Sequence, residues 1–178
     1  ELQSKTNTLT SQTTSYVYDV MGNLLSVSLP NGTVIEYEID GLNRRVGRKV
    51  NGVLQRRYAY DHLGRIIAEI NPNNTLYRRY VYASKSNVPD FFYEGASQFR
   101  IFSDHLGSPR IVVRVSNGTV MQKMDHDEFG RIRQDTSPGY TLFGFAGGLY
   151  DKDTGLVRFG TREYDSESGR WTSKDIIL

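Results

Sequence analysis

The chain has 178 residues, room for one domain with its own core. A formal charge of +2 gives no electrostatic reason for a nucleic-acid or acidic-membrane partner, and no apolar run is long enough to span a bilayer as a helix. Cysteine is absent, which excludes disulfides and thiol chemistry but fixes no compartment.

Twelve tyrosines and seventeen glycines, against a hydrophobic fraction of only 38%, point to an all-β chain with many tight turns. Tyr rings pack well on a pleated surface, and Gly supplies left-handed turn positions. The chain opens ELQSKTNTLT, with neither an initiator Met nor a signal peptide, so residues 1–15 read as the lead-in of an excised or processed piece.

From Tyr18 onward a turn signal recurs: YDVMGN, then IDGLNR from Ile39, YDHLGR from Tyr60, SDHLGS from Ser103 and HDEFGR from His126. The aspartates Asp19, Asp40, Asp61, Asp104 and Asp127 are spaced by 21, 21, 43 and 23 residues, and YVYASKSN around Tyr82 fills the skipped slot in degenerate form. In each element Asp is expected to accept backbone N–H groups ahead of it, with Gly in the left-handed position. Between these lie Asn31-Gly32, Asn51-Gly52, Asn73-Asn74 and Asn117-Gly118, read as two-residue type I′ hairpin turns with positive φ at both central residues.

The intervening stretches alternate with the period of a strand that has one buried face, as in Val34 to Ile39, Leu54 to Tyr60 and Arg78 to Tyr82. Residues 16–101 therefore predict an antiparallel meander of stacked hairpins, curved and twisted, each repeat leaning on its neighbours. Its terminal strands would be open edges, a route to self-association.

The Tyr-Asp-x-x-Gly-Arg pattern resembles the YD repeats of bacterial Rhs proteins. FSDHLGSPRIVV, from Phe102 to Val113, is similar to a sequence near the end of that family, and FGFAGGLYDKDTGLVRFGTREYDSESGRWTSKD looks like the Rhs repeat-associated core, making 102–178 a core segment. The resemblance covers roughly residues 16 to 178. It implies a ribbon of β-hairpins wound into a hollow shell, or cocoon, around a C-terminal effector that is often a toxin. The implied partners are the chain's own upstream repeats and downstream effector, together with secretion machinery. No cofactor is implied, and the implied localisation is bacterial, secreted or delivered at the cell surface.

Peptide cleavage by carboxyl groups needs one to activate the attacking group and another to protonate the leaving group. Acidic candidates near the C-terminal end are Asp151, Asp153, Glu163, Asp165, Glu167 and Asp175, with Arg158, Arg162 and Arg170 between them. The resemblance selects Arg162, Glu163 and Asp175 as the positions matching the family's proposed autoproteolytic residues. Two of its features depart from the family: Glu163 stands where Asp is common, and Ile176 where Pro is usual. The usual cut lies beyond Leu178, so no turnover is expected of this piece. In a purely structural reading Asp151 with Gly155, and Asp165 with Gly169, are further turns of the repeat. Arg162 and Arg170 are then sheet-surface or ion-pair residues, Trp171 fills the core or plugs the end of the sheet, and Glu163 and Asp175 fit either reading.

No other chemistry is as well supported. His62 and His105 follow turn aspartates, and alternation puts His126 on the opposite face from Asp125 and Asp127, so no metal site is expected. The glycines fit no phosphate loop, and no G-x-S-x-G elbow occurs. Arg44-Arg45, Arg56-Arg57 and Arg78-Arg79 interleave with Tyr58, Tyr77 and Tyr80, which suits single-stranded nucleic acid or cross-strand pairing with Glu36, Glu38 and Glu69; the charge balance favours pairing. A shell segment that closes around an effector is the leading expectation. A carbohydrate- or surface-binding repeat module and an inactive orphan fragment are the alternatives.

Overall fold

The computed structural model describes residues 1–174. Its Asp turns form as their chemistry dictates. Asp19 Oδ1 accepts the backbone N–H groups of Met21 and Asn23 at 2.9 and 2.8 Å, while Gly22, at φ 79°, donates to the Asp19 carbonyl at 3.1 Å. The pattern recurs at Asp40, Asp61, Asp104 and Asp127, with Asn43 (φ 59°) instead of Gly in the second copy. Replacing Asp19 by Ala removes two charge-assisted backbone bonds and one to the buried Asn23 side chain, so a loss of about 1–2 kcal/mol is expected in urea unfolding.

The opposite turns correct one expectation. Only Asn51-Gly52 has positive φ at both positions (49° and 77°). At 31/32, 73/74 and 117/118 the second residue alone is left-handed, because these loops are longer. Gly32 donates to Leu29 and Asn74 to Asn71, each closing a tight turn before the left-handed residue.

These turns join strands β1 (Ser4–Thr6), β2 (Thr13–Tyr18), β3 (Leu24–Ser28), β4 (Val34–Ile39), β5 (Arg45–Val50), β6 (Val53–Tyr60) and β7 (Ile66–Ile70). They continue through β8 (Leu76–Val81), β9 (Phe91–Glu94), β10 (Ser97–Ser103), β11 (Pro109–Arg114), β12 (Val120–His126) and β13 (Ile132–Asp135). All thirteen lie in one antiparallel sheet in chain order, the meander expected from the repeat. The sheet runs unbroken past residue 102, and the lead-in supplies β1 and the start of β2. In the skipped slot a longer loop follows β8. Asp90 closes it from the far end, accepting from Ala83 N–H, Ser84 N–H and Ser84 Oγ.

After β13 the chain turns onto one face of this sheet. A 3₁₀ turn, Phe145–Gly147, leads into a four-stranded antiparallel sheet of β14 (Leu149–Tyr150), β15 (Leu156–Phe159), β16 (Arg162–Asp165) and β17 (Arg170–Trp171). Gly147 is required here: it sits at φ 75°, and a Cβ would lie 2.4 Å from the Asn87 carbonyl oxygen. Leu156 packs with Tyr16, Leu24, Val27, Ile35 and Tyr37, while Phe143 and Leu149 pack with Tyr58, Tyr80, Phe92, Phe99 and Val112. The second sheet thus fills the inner face of the first.

The large sheet is strongly curled. Laid flat, thirteen strands would hold the outer two about 58 Å apart. Yet Lys5 of β1 and Arg131, just before β13, both reach Glu167 in the β16–β17 turn, one through its carboxylate at 2.8 Å and the other through its carbonyl at 2.8 Å.

Candidate functional site: a buried charge cluster between the two sheets

Antiparallel register sets Arg158 of β15 directly opposite Glu163 of β16, so both side chains leave the same face of the hairpin. That face is turned into the curled sheet. Arg158 Nη1 donates to Glu163 Oε1 at 2.8 Å, and Arg45 Nη2, from β5, donates to the same oxygen at 2.9 Å. Glu163 is 1% exposed and Arg45 2%. Among the described residues, Glu163 Oε2 and Arg45 Nε are buried without a hydrogen-bond partner. The Arg45 guanidinium also lies over the Tyr37 ring, 3.4 Å from its centroid.

Arg158 extends the cluster. Its Nη2 donates to Asn23 Oδ1 at 3.0 Å and to the Asn43 carbonyl at 2.8 Å. The fully buried Asn23 amide in turn donates to Asp19 Oδ2 and Asn43 Oδ1, each at 2.9 Å. On the other side Asp151 Oδ2 accepts from the Tyr37 hydroxyl and Arg48 Nε at 2.8 Å, and Oδ1 from Arg48 Nη2 at 3.1 Å. Arg48 also pairs with Asp153. Burial pushes the Asp151 carboxyl up, but the bonds and charges of Arg48, Arg45 and Tyr37 outweigh it and hold the group below the usual carboxylate range. Burial, and then the adjacent Asp151 charge, push the Tyr37 phenol well above its ordinary value, so it remains a donor.

The two residues of the proposed cleavage site that fall in β16 are separated by the alternation of the strand. Glu163 points into the cluster, whereas the Arg162 guanidinium stacks on the Trp171 ring at 4.2 Å. Asp175 lies outside the described residues. Asp151 and Asp165 do form turns, accepting Gly155 N–H and Gly169 N–H at 2.8 Å, but each also spends its carboxylate on the other sheet: Asp151 on Arg48, Asp165 on Lys5 at 2.8 Å. Trp171 does not fill the core. It is 43% exposed, because β17 is a two-residue edge strand, and it rests edge-on against Phe159 and Tyr164. Arg56 and Arg78 stack on Tyr77 and approach Glu69 at 3.9 Å, and Arg78 pairs with Glu94 at 2.9 Å; Glu38 takes Lys49 instead. Among the described residues no three metal-ligating side chains gather.

Sequence reasoning missed Asn23, Asn43 and Ser108, though a signal was present. They are departures from the repeat: Asn23 and Ser108 stand where three copies carry Arg, and Asn43 where four carry Gly. Each meets the inserted segment or supports a residue that does, Ser108 Oγ accepting from Ala146 N–H at 2.9 Å.

A curled sheet of Asp-turn hairpins, closed on itself by a plug that shares buried charges with it, defines a segment of a YD-type β-shell. The chain belongs to the teneurin YD-shell family, whose model matches residues 4–178. It is 32% identical over 174 residues to Teneurin-3 of Danio rerio, covering 90% of this chain and 6% of the relative, and 30% identical over 175 residues to Teneurin-4 of Mus musculus, again 90% and 6%. The chain therefore spans only a small part of the curated relatives it matches. Its fold is similar to the crystal structure of TcdB2-TccC3, at a TM-score of 0.66 and 17% identity, covering 92% of this chain and 9% of that one. The TcdB2-TccC3 structure without its hypervariable C-terminal region is alike at 0.62 and 14% identity. At such identity the likeness is one of fold.

These matches support the shell architecture and correct the purely bacterial affiliation read from the Rhs resemblance, since the curated relatives are animal teneurins. The physical reason is that Asp-x-x-Gly and Asn turns specify hairpin geometry, which any lineage can use.

Proposed function

We propose that this segment closes its shell, with β14–β17 as a plug seated by the Glu163–Arg45–Arg158 cluster, and that in a longer chain it holds a C-terminal effector enclosed. The observation that carries this reading is the clasp: one small sheet bonds to the interior of the large sheet and to both of its ends. The hypervariable C-terminal region of the TcdB2-TccC3 neighbour is the precedent for a variable chain following such a shell. The partners are then the chain's own flanking segments, with secretion machinery or self-association secondary to them. The test is limited proteolysis of the parent chain. The part downstream of Leu178 should resist protease while the shell is intact and become cleavable after Glu163→Ala. Equal cleavage in both proteins would sink containment.

A second reading, self-cleavage by Arg162, Glu163 and Asp175, draws support from one feature: Glu163 Oε2 is buried and unpartnered among the described residues, so one carboxylate oxygen is left for chemistry. In the parent chain, intact mass should show a break downstream of Asp175 that Asp175→Asn abolishes while the fold persists. A single uncut species from the unaltered chain would leave Glu163 as a structural anchor alone.

A further inference from the structure

His126 ends β12 as a 9%-exposed side chain, and both ring nitrogens are buried without a partner among the described residues. A buried polar group left in that state calls for an explanation. Its ring lies 6.4 Å from Phe145, the first residue of the 3₁₀ turn. That turn is held on the large sheet by two bonds at Ala146, whose N–H donates to Ser108 Oγ at 2.9 Å and whose carbonyl accepts from Asn87 Nδ2 at 2.9 Å. Phe145 stacks on Tyr164 with centroids 6.0 Å apart, and Tyr164 meets Trp171 at 5.6 Å. Tyr164 follows Glu163 in β16, so a line of aromatic contacts runs from His126 to the hairpin that carries the buried cluster.

Charged groups face the ring from each neighbouring element. Arg110 comes from β11, Asp104 from the β10–β11 turn, Asp125 from β12 itself and Asp135 from β13. Arg110 is engaged by Asp104 at 3.4 Å and Asp125 at 2.6 Å, so neither of these carboxylates is idle.

We propose that His126 is an acid-operated latch: protonation puts an unpaired charge beneath Phe145, releases the 3₁₀ turn from the large sheet and loosens the seat of β14–β17. The direction follows from the surroundings. Burial, then the Arg110 charge, hold the ring below its ordinary value, against the opposing pull of Asp104, Asp125 and Asp135. A depressed histidine means that the released state binds the proton more readily. The latched state is therefore fully favoured above the ordinary histidine value and loses ground as pH falls below it.

Trp171 is the only tryptophan, so its emission reports the end of the aromatic line directly. Hydrogen exchange at Ala146 and Gly148, corrected for its intrinsic pH dependence, reports the turn itself. As pH falls below the ordinary histidine value, exchange at these amides should rise, approaching but not exceeding about tenfold for each unit of pH, the limiting slope of one proton taken up on release. Trp171 emission should shift over the same range, while the β6–β7 amides stay protected. His126→Phe should abolish the rise, and Arg110→Gln, which removes a charge that holds the latched ring's value down, should make the rise smaller and end it at higher pH. The latch is overturned if the rise persists in His126→Phe. Should that variant not fold, a rise of unchanged size and range in Arg110→Gln overturns it equally.

Discussion

Glu163→Ala is expected to destabilise the chain by about 3–5 kcal/mol, the usual cost of removing one partner from a buried ion pair. For a domain of this size that lowers the melting temperature by about 10 °C. The carboxylate is the shared acceptor for two guanidinium groups that are almost entirely out of water. Without it, among the described residues, the Arg45 guanidinium keeps the Tyr37 ring, while Arg158 keeps Asn23 and the Asn43 carbonyl. Two cations then face each other across the space the carboxylate occupied. Glu163→Gln retains an acceptor of the same shape and should lose less than the alanine variant. Calorimetry on both decides the matter: equal, small losses would mean that water replaces the carboxylate and the cluster is not a dry anchor.

Asp151→Ala is expected to cost about 2–4 kcal/mol at neutral pH, because it strips a buried carboxylate from two Arg48 donors and from the Tyr37 hydroxyl. Arg48 retains Asp153, which keeps the loss below that of Glu163→Ala. The effect should depend on pH with a definite sign. The carboxyl is held below its unfolded value, so its contribution is fully present above about pH 4 and disappears as pH falls through the lower folded value. Urea midpoints of the two proteins should therefore converge in acid. A gap that stays constant from pH 7 to about pH 2 would show that Asp151 acts through packing and not through charge.

Much of this architecture was readable in advance. Asp19, Asp40, Asp61, Asp104 and Asp127 announced their turns because the bonds involved are local, each carboxylate reaching backbone only two to four residues ahead. The strand from Val34 to Ile39 was readable for the same reason. Of the Asn turns, Asn51-Gly52 was placed and typed correctly, while those at 31/32, 73/74 and 117/118 were placed correctly but mistyped, since loop length depends on where pairing of the flanking strands stops. At the candidate site, Glu163 and Asp151 were visible as acidic residues in a turn-rich motif, but their partners were not. Arg45 lies 118 residues from Glu163, and Arg48 103 residues from Asp151.

The repeat, its two kinds of turn and hence an antiparallel meander follow from the order of residues, because a hairpin is closed by neighbours along the chain. That the meander curls far enough for Lys5 and Arg131 to meet one turn, and that Arg45, Arg158 and Glu163 share one dry interior, emerges from the packing of the folded chain. The curl is the sum of small twists over thirteen strands, and a buried ion pair forms where that sum brings distant strands together. Neither quantity is written in any short stretch of residues.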